Sequence, residues 1–177
     1  MKLLGLLRHA KSDWDDLSLR DFDRGLNARG RKGAALMGAH ISAQGTAWDA
    51  ILASPAERVR RTLEAAGLTG EVAWAENAYL ADAQTLLHLL QQHGNGANAL
   101  LLAGHNPGLQ ELVLELVAPE KENALFGDLM EKFPTAAFAV LQLDIATWAD
   151  CAAGCGEVLH FARPRDLDPQ LGPQLAR

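Results

Sequence analysis

Leu3-Leu4-Gly5-Leu6-Leu7-Arg8-His9-Ala10-Lys11 decides how this chain folds. An unbroken apolar run of strand length, cut off by a cation and a histidine, reads as a central strand buried on both faces. Two later stretches repeat the pattern. Trp48 to Ala53 runs into Ser54-Pro55-Ala56-Glu57-Arg58, and Asn98 to Ala103 runs into Gly104-His105-Asn106-Pro107-Gly108. In each, a capping residue followed by proline marks a helix start. Ser54 is expected to open a helix through about Ala66, and Asn106 one to about Val117.

The remaining elements follow from the same signals. Residues 10–24 are polar and acidic without useful period, and predict a loop. Asn27 caps a helix to about Gln44, with Gly45 as its stop. Glu71 to Ala75 is a short strand, Ala83 to His93 a helix, and Leu125 to Phe133 a short helix. Thr135 to Leu143 and Glu157 to Ala162 have strand character. The segment after Arg163 holds three prolines and predicts an extended tail over about 164–177. Strands alternating with helices imply an α/β fold, a single-domain three-layer sandwich over residues 1–177. Its central sheet is mostly parallel, with helices on both faces and a mixed edge formed by the late strands.

Composition narrows the function. The 177 residues carry a net charge of −6, with 49% hydrophobic and 21% charged side chains. That is a globular composition. Net acidity argues against wrapping nucleic acid or coating an anionic membrane. No apolar run approaches the roughly 20 residues of a membrane span. The first apolar run is too short for a leader peptide, so a soluble cytoplasmic protein is expected. Cys151 and Cys155 cannot build a disulfide framework. With His160 they lack zinc-finger spacing, so neither a metal nor another cofactor is expected. The charge is uneven. Residues 1–61 hold 11 Lys and Arg against 7 Asp and Glu, and residues 62–177 hold 5 against 15. A local basic pocket for a small anion fits that split.

Ligands of open α/β sheets gather outside the carboxyl ends of the strands. The three strand ends here offer two histidines, two arginines and free N–H groups at helix starts. That inventory suits a phosphoryl group, which carries about −1.5 to −2 charge near neutral pH.

The ordered motifs resemble the histidine phosphatase superfamily, which includes the phosphoglycerate mutases. Within it, the chain is similar to the small phosphohistidine phosphatases of the SixA type. The resemblance rests on Leu6-Leu7-Arg8-His9-Ala10-Lys11, on Asp21-Phe22-Asp23-Arg24-Gly25-Leu26 with Gly30, and on Ser54-Pro55-Ala56-Glu57-Arg58 with Thr62. Gly104-His105-Asn106-Pro107-Gly108 and Pro134-Thr135 complete it, so it spans roughly residues 3–163. Gly25 stands where the family usually has proline, and Arg61 where many members have glutamine. Ala10 replaces the glycine of most mutase-like members, as it does in the SixA branch.

The resemblance implies a metal-independent phosphatase acting through a covalent phosphohistidine on His9. Arg8 and Arg58 would grip the phosphoryl oxygens, and a cationic His105 would face the phosphate opposite His9. Arg24 would be a third phosphate-associated arginine, with Ser54 and Asn106 at the substrate site, where they read chiefly as helix caps. Lys11 would add positive potential at the mouth, and Trp14 would line a wall or pack under a loop. Mutase-like members carry an acid that protonates the leaving oxygen. Asp82 is the weak candidate in chain order and reads better as a helix cap. The expected partner is a phosphorylated protein, such as a signalling protein carrying phosphohistidine. The acidic remainder of the chain is expected to disfavour strongly anionic substrates. Two other readings are a phosphatase of a small phosphorylated metabolite and a non-catalytic phosphoprotein-binding module.

Overall fold

The computed structural model describes residues 1–68 and 70–173. The N-terminal apolar run is strand β1 (Lys2–Arg8). Strands β2 (Ala50–Ala53), β3 (Val72–Trp74), β4 (Ala99–Gly104), β5 (Phe138–Leu143) and β6 (Gly156–Ala162) complete one sheet, ordered β3-β2-β4-β1-β5-β6. β1 pairs parallel with β4, from Leu3 opposite Ala99 to Arg8 opposite Gly104. β2 pairs parallel with both β3 and β4. β5 runs antiparallel to β1, and β6 antiparallel to β5, which forms the mixed edge.

Parallel neighbours need crossovers, and helices supply them. They are α1 (Ala28–Ala43), α2 (Glu57–Ala65) and α3 (Ala83–His93). α4 (Gly108–Leu116) and α5 (Ala124–Glu131) then return the chain to the antiparallel edge. Side chains alternate across a strand, so the two faces of each central strand feed different cores. Leu4, Leu6, Leu100 and Leu102 pack with Leu86, Leu90, Leu112 and Leu116 of α3 and α4. Leu7, Leu101 and Ala103 pack with Met37, Ile41, Val59 and Leu63 of α1 and α2. Each such fully buried leucine contributes about 1.5–3 kcal/mol. Gly5 belongs to this economy of space, because a Cβ there would stand 2.7 Å from the Trp48 ring.

Three expectations are corrected. The segment after Arg163 is not extended throughout. Pro164–Leu167 forms a helical turn, α6, and Pro169–Leu171 a 3-10 turn, while residues 174–177 lie outside the described residues. Proline at the first helical position is compatible with a turn, and Asp166 closes it by accepting from the Arg163 backbone N–H. α2 begins at Glu57, not after Ser54, because Ala56 has a non-helical ψ of 141° and the Ser54 hydroxyl, which accepts from the Ala56 N–H at 3.3 Å, also meets the His105 ring. The strand expected from Thr135 starts only at Phe138. Residues 134–136 turn instead, with Ala136 at φ +59° and its N–H donating to the carbonyls of Arg8 and His9. Among the described residues no helix is long and apolar enough to cross a membrane.

Candidate phosphoryl site

The strand order places β2, β4 and β1 side by side. Their carboxyl ends therefore deliver Ser54, His105 and Arg8-His9 to one place. The His9 N–H donates to Gly104 O at 3.0 Å, and the Ser54 N–H to Ala103 O at 3.1 Å, so the ladder continues into both loops. The His9 and His105 rings come to 5.3 Å between centroids. Both are buried, as is Arg58.

The loop after β1 is held from two sides. Thr62 Oγ1 accepts from the Ala10 N–H at 2.8 Å and donates to Arg58 O at 2.6 Å. One hydroxyl thus ties the His9 loop to the helix that carries Arg58. On the other side α1 approaches so closely that a Cβ on Gly30 would stand 2.1 Å from Lys11 O. Only glycine fits there.

The two histidines are prepared differently. His9 Nδ1 lies 2.8 Å from Ala10 O. A carbonyl can only accept, so Nδ1 carries the proton and Nε2 keeps its lone pair. Burial, reinforced by Arg58 and Arg8, lowers the His9 pKa to about 4. The ring is neutral at pH 7. His105 Nε2 lies 2.7 Å from Ser54 Oγ, and its Nδ1 is buried without a partner. Burial, then His9 and Arg58, lowers its pKa to about 3. The expected cationic His105 is therefore not the state of the free site. Two neighbouring arginines and a second imidazole oppose its charge until an anion compensates them.

The arginines are anchored through part of their donor sets. Arg8 gives Nη1 to Phe133 O at 3.0 Å, while its buried Nε has no partner. Asn106 Nδ2 donates to that same carbonyl at 2.9 Å, and its Oδ1 accepts from the Gln110 N–H at 3.2 Å. Asn106 thus braces the Arg8 anchor as well as the start of α4. Arg58 donates to the Asp21 carbonyl at 2.8 Å and to Asp21 Oδ2 at 3.0 Å. Tyr79 OH donates to the same Oδ2, and the Tyr79 ring meets the His105 ring edge-on at 5.4 Å. The hydrogen bond from Tyr79, then that from Arg58, holds the Asp21 carboxyl below its ordinary range.

Asp21 and Tyr79 were not singled out by sequence reasoning as site residues. Asp21 heads one of the quoted motifs, but nothing local says it reaches across 37 residues to Arg58. Two expected residues make their side-chain bonds elsewhere. Arg24 gives both terminal nitrogens to Asp16 O and Leu19 O, each at 2.9 Å, and stacks over Trp14 at 4.1 Å. Those bonds pin the 13–20 loop, while its buried Nε has no partner, as in Arg8. Trp14 is exposed beyond it. Asp82 caps α3 through the Thr85 N–H at 2.8 Å, and that bond holds its carboxyl below the ordinary range. Among the described residues no group of three or more His, Cys, Asp or Glu could hold a metal.

Unpartnered Arg8 Nε and His105 Nδ1, an unprotonated His9 Nε2 and the remaining Arg58 donors make a small cationic cradle beside a nucleophile. Such a cradle can hold an anion and accept an electrophile at Nε2.

The comparisons with known proteins agree. Residues 4–85 match the family model of the histidine phosphatase superfamily (branch 1). An uncharacterised protein of Mycobacterium tuberculosis is 36% identical over 160 residues, covering 90% of this chain and all of the relative. A candidate phosphohistidine phosphatase SixA from Nakamurella multipartitia superposes with a TM-score of 0.82 at 29% identity, over 92% of this chain and 96% of that one. A second candidate SixA, from Agrobacterium tumefaciens, gives 0.75 at 28% identity, over 92% and 98%.

Proposed function

The chain belongs to the histidine phosphatase superfamily and is a phosphatase, and on that premise we propose that it removes phosphate from phosphohistidine in a protein. His9 Nε2 attacks the phosphorus of a phosphohistidine protonated on its other ring nitrogen, the P–N bond breaks, and its electron pair stays on the leaving nitrogen, so a neutral imidazole departs. Water then attacks the phosphorus of phospho-His9, the P–Nε2 electron pair returns to Nε2 while Nδ1 keeps its proton on Ala10 O, and the water proton leaves with inorganic phosphate. Splitting one displacement into two lets a neutral imidazole act as the nucleophile at pH 7. Arg8, Arg58 and the His105 Nδ1–H meet the charge on the three transferring oxygens. Binding the dianion supplies the counter-charge that His105 lacks in the free site, so its pKa rises as the substrate arrives.

The state of the carboxylates carries the choice of substrate. An alkoxide leaving group needs a proton, and donation by a placed acid contributes about 10²–10⁴-fold. Asp82 is tied up as an ionised cap, and Asp21 is held ionised by Tyr79 and Arg58. Neither is a proton donor at neutral pH. An imidazole leaving group can take its proton from water on the distal ring nitrogen near neutral pH, so it needs no placed acid. The candidate SixA relatives, described as phosphohistidine phosphatases, support the same choice.

A panel of a phosphohistidine protein, a phosphoserine peptide and a sugar phosphate tests this. The phosphohistidine protein should be hydrolysed at least about 100-fold faster in kcat/KM. Faster turnover of the sugar phosphate would overturn the reading in favour of a metabolite phosphatase. Label transfer from substrate to His9 should be seen in rapidly quenched samples. Absence of both label and turnover would favour a binding module.

A further inference from the structure

We infer that a groove beside the nucleophile loop is a docking site for a carboxylate-rich segment of the phosphoprotein substrate. The inference rests on the reading above. The groove has a volume of about 540 Å³ and is lined by four cations: Lys11, Arg29, Lys132 and Arg165. None of its described lining residues is an aspartate or glutamate. In a chain of net charge −6, that concentration of one sign is selective, and at this groove it reverses the expectation that an acidic chain disfavours anionic substrates.

The cations arrive from four parts of the fold. Lys11 sits in the loop after β1, Arg29 in the first turn of α1, Lys132 just past α5, and Arg165 in α6. The acid-rich stretch 62–177 has five cations in all, and two of them face this groove. Two nearby carboxylates, which Arg29 and Arg165 also feel, are held chiefly by other bases. Lys32 holds Asp168 at 3.0 Å, and Arg163 holds Asp166 at 3.1 Å. Arg29 is fixed by donating to Gln170 O and Gly172 O, so its charge is placed before any partner arrives.

The groove and the phosphoryl site share a wall. Lys11 is two residues beyond His9, and the lining residue Ala136 donates its N–H to the carbonyls of Arg8 and His9. A protein presenting its phosphohistidine to His9 therefore lays adjoining surface across Lys11 and into the groove. The lining backbone at Pro134–Ala136 and Gly172–Pro173 lies outside helices and strands and suits an extended segment. Complementary charge of this kind raises encounter rate and selects partners, and salt screens it.

The test uses two phosphohistidine proteins, one net acidic and one net basic, with phosphoimidazole as a small substrate. The full-length enzyme should prefer the acidic protein in kcat/KM, and that preference should fade between 50 and 300 mM salt, since screening lengths shrink over about this range. The double variant Lys132→Glu, Arg165→Glu should raise KM for the acidic protein about tenfold or more and leave phosphoimidazole turnover unchanged. The double alanine variant should show a smaller rise in the same direction, and it replaces the charge reversal if that protein melts early. An unchanged KM for the acidic protein in a folded variant, with wild-type turnover intact, overturns the groove and leaves the substrate reading standing. Wild-type turnover of phosphoimidazole or sugar phosphates without turnover of either protein overturns the substrate reading, and the groove with it.

Discussion

Two histidine pairs bridge this molecule, and they are built to opposite ends. His40 of α1 and His160 of β6 point their Nε2 atoms at each other at 2.8 Å, with rings inclined by 24°. One proton serves both, and each ring uses its reactive nitrogen on the other. His9 and His105 stand at a similar ring separation, yet neither bonds to the other. Ala10 O takes the His9 proton and Ser54 takes one His105 nitrogen, which leaves one free nitrogen on each ring. The lesson concerns reactivity. Closeness of two imidazoles does not make a site; an orienting partner on one nitrogen, with the other left open beside guanidinium groups, does.

The most severe way to break the comparison is His9→Ala. Turnover should fall by at least about 10³-fold and covalent label should vanish, as measured by phosphate release and by the acid-labile, base-stable label that a phosphohistidine carries. His40→Ala applied to the other pair should leave kcat within about twofold. A large loss of kcat there would show that the paired histidines also serve the reaction.

Arg58→Lys comes next. A lysine cannot reproduce the two bonds to Asp21 while presenting further donors to phosphate. We expect a loss of about 10²-fold in kcat/KM, with little recovery at high substrate. Asp21→Asn acts through Arg58 and should cost about tenfold, chiefly in kcat, because the neutral amide no longer holds the guanidinium by charge. Near-normal kinetics in Asp21→Asn would show that Arg58 is positioned without it.

Acid stability separates the pairs more gently. The folded pKa values of about 4 for His9 and about 3 for His105 lie below the ordinary value of 6.5. The unfolded chain therefore binds more protons between these limits, and stability falls as pH drops from about 6.5 toward 3. His9 alone accounts for a loss on the order of 3 kcal/mol. His9→Gln should flatten that slope in denaturant titrations at pH 7 and pH 5. Saturating inorganic phosphate should shift the loss to lower stability cost by restoring counter-charge around His105. An unchanged slope in His9→Gln would mean that the buried ring is not what resists protonation.

Particular residues show what could be read in advance. Arg8, His9, Arg58 and His105 were legible because each follows an apolar run of strand length or a proline-marked helix start, and strand ends converge in a parallel sheet. Asn27 and Asp82 were legible as caps, and both cap. Ser54 stands two residues before the observed cap, where its hydroxyl accepts from the Ala56 N–H and also meets the His105 ring, 51 residues away. Arg24 is associated with phosphate by its motif; what no local pattern showed is that its two terminal nitrogens also hold carbonyls of its own loop. Asp21 and Tyr79 lie in irregular segments, where no periodicity reports which way a side chain turns.

The opening run and its two repeats determined by themselves the central strands, the α/β class and the end of the sheet that carries the chemistry. Those properties follow from local patterns of hydrophobicity and capping, which the chain expresses before it folds. Which side chains meet at the strand ends, which nitrogen of His9 is bare, how far burial lowers the pKa of both histidines, and that scattered lysines and arginines line one groove depend on tertiary structure. Protonation, tautomer and charge clustering depend on burial and on partners distant in sequence, and those exist only once the sheet has brought the strand ends together.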